Sequence, residues 1–173
     1  LISIVREMRA TLSRVAYSSV LYEARDFSCI VMNGRGEAVA QSEDNPGHII
    51  PLPWSVRIAI ERFRDDINPG DVILINDPYS GGTHLNDVAV ICPVFVGGRL
   101  LLFPAIRAHW ADVGGMTPGS LSGTSTEIFQ EGIILPPTRV ARGDVIDLNV
   151  LNLILSNVRA PRETNGDLRA QMS

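Results

Sequence analysis

The stretch DVAVICPVFVGGRLLLFPAIR, from Asp87 to Arg107, determines how the middle of the chain folds. Two apolar runs, Asp87–Val96 and Arg99–Arg107, flank the dipeptide Gly97-Gly98. Apolar runs of strand length joined by two glycines are typical of a β-hairpin, because glycine readily adopts the positive φ angles of tight hairpin turns. We therefore predict two antiparallel strands, with Asp87 and Arg107 together at the end away from the turn.

Two histidine–aspartate motifs of the form H-x-x-D flank this hairpin. His84 and Asp87 stand where the first strand begins, and His109 and Asp112 follow the second strand. The hairpin brings both motifs to one end of the sheet, so His84, Asp87 and His109 are candidate ligands of a divalent metal such as Zn, Mn or Fe. Alternatively, both histidines are loop residues hydrogen-bonded to the backbone. The third histidine, His48, precedes a predicted helix, and we expect it to have a supporting role.

Apolar patterns predict the remaining elements. Helical spacing marks residues 2–22, 51–66 and 148–158, and short apolar runs mark strands at 27–33, 37–41, 71–76 and 133–140. The expected fold class is α+β: a mixed, largely antiparallel sheet with flanking helices. The glycine-, proline- and serine-rich stretch 109–124 is expected to lie outside the core. We interpret residues 1–173 as the N-terminal portion of a larger subunit.

Composition excludes several classes of function. The 173 residues include 15 basic and 19 acidic side chains, giving a net charge of −4, and every basic residue is arginine. A chain without lysine has no Walker-A lysine and no Schiff-base lysine. Scattered arginines without a basic stripe argue against nucleic acid, and no apolar run is long enough for a membrane span. Cys29 and Cys92 lie in apolar contexts typical of buried free thiols, which predicts a cytoplasmic protein.

Several motifs in one order resemble the hydantoinase B/5-oxoprolinase family. They are ARDFSCIVMN, GRGEAVAQ, NDPYSGGTHLNDVAV, RAHWADVGGMTPGS, EIFQEG and NVRAPRETNGDLRAQ, running from residue 24 to residue 171. The family comprises B-type chains of N-methylhydantoinases, the C-terminal part of 5-oxoprolinases and the large subunits of acetone and acetophenone carboxylases. The resemblance therefore covers nearly the whole chain.

This resemblance implies an ATP-dependent hydrolase of cyclic amides, such as hydantoins or 5-oxoproline, or alternatively an ATP-dependent ketone carboxylase. ATP and Mg would be bound by a partner, an actin-like ATPase subunit or domain of the hydantoinase A type, in a hetero-oligomer. The partner would activate the substrate with phosphate, and the present chain would complete the reaction. In the carboxylase branch the metal ligands match His84, Asp87 and His109.

Cleavage of a C–N bond requires a protonated leaving amine, for which Asp112 or Glu131 is the candidate proton carrier. Two rival hypotheses remain. An iron oxygenase would use a facial triad of two histidines and a carboxylate, but its H-x-D spacing is absent between His84 and Asp87. A non-catalytic structural or interaction module of the same complex would bind no stoichiometric metal. We expect the isolated 173 residues to be inactive without the partner.

Overall fold

The computed structural model describes all residues from 1 to 173. The helices are α1 (Ile2–Val15), α2 (Ser19–Tyr22), α3 (Pro46–Ile49), α4 (Leu52–Phe63), α5 (Leu148–Leu155) and α6 (Pro161–Met172). The strands are β1 (Phe27–Asn33), β2 (Ala38–Gln41), β3 (Val72–Ile75), β4 (Asp87–Ile91), β5 (Val94–Val96), β6 (Arg99–His109), β7 (Thr138–Arg142) and β8 (Val145–Ile146). Short 3-10 helices occupy Arg64–Asp66, Pro78–Ser80 and Ile128–Gln130. None of the helices is both long and apolar enough to cross a lipid bilayer.

The strands form a single eight-stranded sheet in the order β2-β1-β6-β4-β3-β7-β8, and β5 extends the hairpin by pairing with β6. Every strand pair is antiparallel. The predicted α+β class with a largely antiparallel sheet and flanking helices is confirmed.

The central hairpin has the predicted pairing but a broken first strand. Asp87 lies opposite His109 in the register of β4 and β6, and Val94 lies opposite Leu102 in that of β5 and β6. The predicted continuous strand Asp87–Val96 is interrupted at Cys92 and Pro93. Proline has no backbone N–H for the ladder, and Pro104 on β6 lies beside the same interruption, where its carbonyl accepts from Cys92 N at 3.1 Å.

Each face of the sheet is covered by helices. One face packs its apolar side chains against α3 and α4, and we call it the α4 face; its strand residues include Ile30, Ile75, Ala89 and Ala105. The opposite face packs against α1, α2, α5 and α6. Alternate residues of a strand share a face. Asp87, Arg107 and His109 therefore lie on the α4 face, at the edge where its apolar core ends.

Besides the broken strand, three further predictions differ from the structure. The helix predicted over residues 2–22 breaks after Val15, because the carboxylate of Asp167 accepts the backbone N–H groups of Tyr17 (2.7 Å) and Ser18 (3.1 Å). The strand predicted at 133–140 lies instead at Thr138–Arg142. The stretch 109–124 also contributes to the core: Trp110 is fully buried, and its indole Nε1 donates to Gln171 Oε1 at 2.7 Å.

Both cysteines are free thiols. Burial raises the pKa of the Cys29 thiol to about 12, and it raises the pKa of Cys92 to about 11. Such thiols stay protonated at neutral pH and are poor metal ligands.

Candidate metal centre

His84, Asp87 and His109 converge at one end of the sheet, as the hairpin register requires. One ligand atom from each of the three side chains lies within 4.8 Å of the others. His109 Nδ1 is 2.7 Å from Asp87 Oδ1, and His84 Nδ1 is 3.6 Å from Asp87 Oδ2. Asp87 and His109 are held by opposed strands, whereas His84 comes from the loop between β3 and β4.

Asp87 is the most constrained of the three. Its side chain is 2% exposed, and its Oδ2 accepts hydrogen bonds from Thr83 Oγ1 and from His84 N at 3.2 Å. Burial alone would raise the pKa of this carboxyl, but hydrogen bonds from His109, His48 and Thr83 together hold the pKa far below its ordinary value. Asp87 is therefore ionised at every physiological pH.

Two further side chains stand beside the cluster. His48 is buried, with its Nε2 3.5 Å from Asp87 Oδ1 and 3.7 Å from Asp26 Oδ1. Asp26 precedes β1, and its Oδ2 lies 4.0 Å from His109 Nδ1. His48 thus has the supporting position expected from its turn. Sequence reasoning missed Asp26, although the predicted strand at 27–33 would have placed it near His109 had the pairing of β1 with β6 been known.

The cluster opens into a cavity of about 450 Å³. Most of the residues that line it are polar, and Leu121 is the only hydrophobic side chain among them. The other lining residues are Asp26, Asn45, Gly47, His48, Thr83, His84, Asp87 and His109. His84 is the exposed ligand candidate, with 66% of its side chain accessible. The cavity is large enough for a small organic ring.

Arg107 lies beneath this cavity and is completely buried. Its Nη2 donates to Ser55 Oγ at 2.7 Å and to the Gly81 carbonyl at 2.9 Å. Burial lowers the pKa of Arg107 to about 10, against the opposing effect of Asp87, so the guanidinium remains charged at neutral pH. No feature of the sequence singled out this arginine, because its neighbours on β6 are those of an ordinary apolar strand.

Asp112 and Glu131 are not among the residues that line the cavity. Asp112 is buried, and its two oxygens accept from the backbone N–H groups of Gly114 (2.8 Å), Gly119 (3.0 Å) and Arg159 (3.1 Å) and from Arg159 Nη1 (3.0 Å). Glu131 follows the short 3-10 helix Ile128–Gln130. The carboxylate of Asp112 therefore organises the loop after His109, with its acceptor sites occupied.

Comparison with known proteins identifies the family. The family model described as hydantoinase B/oxoprolinase matches residues 1–173. The chain belongs to this family. The resemblance found in the sequence motifs is thereby confirmed.

Relatives in the hydantoinase B/oxoprolinase family are much longer than this chain. The 5-oxoprolinase 1 of Arabidopsis thaliana is 38% identical over 142 residues, which are 82% of this chain and 11% of that protein. The beta subunit of the caprolactamase of Pseudomonas jessenii is 36% identical over 167 residues, or 96% of this chain and 29% of that protein. The chain thus spans less than a third of the length of these relatives.

Two solved structures share the fold of this family member. The crystal structure of ATP-dependent caprolactamase from Pseudomonas jessenii superposes with a TM-score of 0.89 at 34% identity, covering 98% of this chain and 29% of that one. The nucleotide-free structure of acetone carboxylase gives a TM-score of 0.93 at 22% identity, covering 99% of this chain and 23% of that one. At the lower identity, the likeness to acetone carboxylase concerns the fold alone.

The donor set of this hydantoinase B family member fits a divalent transition metal. Two imidazoles and one ionised carboxylate are nitrogen and oxygen ligands of the kind that Zn, Mn and Fe(II) accept. The exposed side of His84 faces the cavity, so further coordination positions would be open to water or substrate. His48 beside Asp87 provides the outer contact that typically orients a ligating carboxylate.

The role of Asp112 can be tested with Asp112→Asn. Burial would raise the pKa of Asp112, but hydrogen bonds from Gly114, Arg159 and Gly119 lower it below the ordinary value. Because the folded-state pKa is depressed, the ionised carboxylate stabilises the fold above its unfolded pKa of about 3.9, and this contribution is lost as the pH falls below that value. We expect the variant to lose about 1.5–3 kcal/mol in free energy of unfolding near pH 7, and less near pH 3.

Chemical denaturation at both pH values measures this difference. Glu131→Gln is the matched control, since no hydrogen bond of the Glu131 side chain would be lost, and it should change stability by less than about 0.5 kcal/mol. If Asp112 carried the proton of the reaction, its variant would instead lose about 100-fold or more in turnover with unchanged stability.

Proposed function

We propose that this chain is part of an ATP-dependent hydrolase of cyclic amides, in which His84, Asp87 and His109 hold a divalent metal beside the substrate. The observation that carries the proposal is the convergence of these three side chains at the mouth of a cavity large enough for a lactam ring. The relatives named as a 5-oxoprolinase and as the beta subunit of a caprolactamase support the substrate class. The substrate would be a hydantoin, 5-oxoproline or another lactam.

A divalent metal in this site would supply a Lewis acid to polarise the amide carbonyl and would lower the pKa of a water nucleophile. Asp87 provides a permanently ionised carboxylate between the two histidines. Buried His48, which also lines the cavity, lies beside that carboxylate and restricts its orientation. Leu121 offers the apolar surface against which the methylene groups of a cyclic amide would pack.

Opening the ring also requires a proton for the leaving nitrogen. Asp26 is better placed for this role than Asp112 or Glu131, because its carboxylate lines the cavity and is 37% exposed. Its Oδ1 is 3.7 Å from His48 Nε2, and its Oδ2 is 4.0 Å from His109 Nδ1. It can therefore exchange a proton with either imidazole or bind the same metal as His109. We therefore assign the proton transfer to Asp26 and a loop-organising role to Asp112.

We further propose that phosphoryl activation occurs on a partner. Two relatives are named as single subunits of larger enzymes, one of a caprolactamase and one of a hydantoinase, and these names support a hetero-oligomer. An actin-like ATPase subunit or domain of the hydantoinase A type would bind ATP and Mg there. The free thiols Cys29 and Cys92 are compatible with a cytoplasmic complex.

Metal removal from the intact complex tests this function. After treatment with a chelator and gel filtration, the protein is assayed with ATP and Mg²⁺ restored, and phosphate and ring-opened product are measured on caprolactam, hydantoin and 5-oxoproline. We expect product formation to fall by about 100-fold or more and to return when Zn²⁺, Mn²⁺ or Fe²⁺ is added. Unchanged turnover in metal-free protein would contradict the proposal, and product from acetone and bicarbonate instead of a lactam would identify a carboxylase.

A further inference from the structure

The loop that carries His84 is attached to the rest of the protein at Gly81. Its first turn is organised by Asp77, whose carboxylate accepts from Tyr79 N (3.0 Å) and Ser80 Oγ (2.8 Å). Gly81 has a φ of +83°, and a Cβ there would lie 2.7 Å from Ser55 N. The loop therefore presses its backbone directly against helix α4, an approach that a side chain at this position would prevent.

Arg107 forms hydrogen bonds to both sides of this contact. Nη2 donates to both Ser55 Oγ and the Gly81 carbonyl, and the hydroxyl of Ser55 itself donates to that carbonyl at 2.8 Å. Nη1 reaches the His48 carbonyl at 3.4 Å. One guanidinium thus joins three separate segments: helix α4, the His84 loop and the His48 turn.

The position of this arginine is costly for stability alone. It is fully buried, Asp87 favours its charge without forming a salt bridge with it, and its Nε has no hydrogen-bond partner. Burying a charge with incomplete compensation is unfavourable, and an apolar side chain would fill the same space without that cost. A role in arranging the site accounts for the presence of a charged group in this part of the sheet.

We infer that Arg107 is a positioning residue, which fixes His84 and His48 relative to Asp87 and His109 by joining their loops to helix α4. The inference builds on the proposed function, since the group being positioned is the metal ligand set. His84 is the only candidate ligand on a loop; its backbone is hydrogen-bonded to Asp87 (3.2 and 3.0 Å), and the attachment at Gly81 fixes the start of that loop. Without the guanidinium, the Gly81 carbonyl keeps only the hydroxyl of Ser55, so the start of the loop gains freedom while the hydrogen bonds of Thr83 and His84 to Asp87 remain.

Arg107→Met in the full-length protein within its complex tests this role by two readouts. The first is the Kd for Zn²⁺ added to metal-stripped protein, which we expect to rise about 10–100-fold, as for other residues that orient metal ligands. The second is amide hydrogen exchange of residues 77–86 in metal-free protein, which we expect to become faster while exchange in β4 and β6 is unchanged. Arg139→Met is the matched control, because it removes ion pairs of a part-buried arginine to Asp66 and Asp71 at the opposite end of β3.

Unchanged Zn²⁺ affinity and unchanged loop exchange in a folded Arg107→Met variant would overturn the inference. An equal loss of affinity in Arg139→Met would also overturn it, since the effect would then reflect general destabilisation. If Arg107→Met does not fold, Ser55→Ala decides by the same two readouts, because it removes the hydroxyl that links Arg107 to α4. If the wild-type complex binds no Zn²⁺, Mn²⁺ or Fe²⁺, the proposed metal function fails, and the exchange measurement alone decides the role of Arg107.

Discussion

In the intact complex, His84→Ala is expected to slow formation of ring-opened product by about 10²–10³-fold while the partner continues to hydrolyse ATP. Loss of one of three ligands weakens metal binding and raises the barrier by about 3–4 kcal/mol, which corresponds to about a 10²–10³-fold loss in rate. On the proposed function phosphorylation takes place on the partner, so it need not decline in proportion. Uncoupled ATP consumption is therefore the expected signature, measured as phosphate and product in the same reaction.

The stability of this variant should be nearly unchanged, because the His84 side chain is 66% exposed. Tyr79→Ala, which truncates an 83% exposed side chain in the same loop, is the matched control and should keep coupled turnover. Product yield close to that of the wild type in His84→Ala would refute the metal assignment. It would indicate that His84 is an ordinary loop residue.

Trp110→Ala is expected to give the largest loss of stability, about 3–5 kcal/mol in free energy of unfolding. The indole is fully buried between the sheet and α6, and its loss leaves Gln171 Oε1 without its donor. Gln171 Nε2 also donates to the carbonyls of Val88 (3.1 Å) and Ile106 (3.3 Å), so the change reaches the strands that carry Asp87 and His109. Chemical denaturation of the purified protein measures the effect.

The other tryptophan provides the control for this experiment. Trp54 lies on α4 with 51% of its surface exposed, and Trp54→Ala should cost much less than Trp110→Ala. Equal losses for the two variants would contradict the assignment of Trp110 to the core. They would show that burial at this position does not determine stability.

Local sequence was sufficient to predict the central hairpin and the convergence of His84, Asp87 and His109 at one end of it. Val96 pairs with Arg99 across the Gly97-Gly98 turn, and a bulge between Val94 and Phe95 then shifts the register by one residue, so that Asp87 lies opposite His109 instead of Ala108. His84 then follows from its short separation along the chain. The turn therefore brings the two motifs to one end of the sheet, whereas the exact pairing of Asp87 with His109 depends on this bulge, which the sequence analysis did not predict.

The side chains that surround His84, Asp87 and His109 could not be predicted from local sequence. Asp26 and His48 reach Asp87 and His109 only because β1 pairs with β6 and because α3 packs over the end of that pair. Asp112 was a candidate proton carrier by its H-x-x-D spacing, yet its hydrogen bonds come from Gly114, Gly119 and Arg159. Spacing along the chain cannot reveal donors that approach from a segment more than forty residues away.

The sequence by itself determined the α+β class, the hairpin and the three convergent ligand candidates, because all of these depend on periodicity and turn chemistry between residues close in the chain. Only the tertiary structure decided which charged groups are buried, what they contact and where the cavity opens. Arg107 illustrates the difference: in the sequence it ends an apolar strand, and in the structure it joins α4, the His84 loop and the His48 turn. The energy of a buried charge depends on partners brought together by folding, and those partners are distant in the sequence.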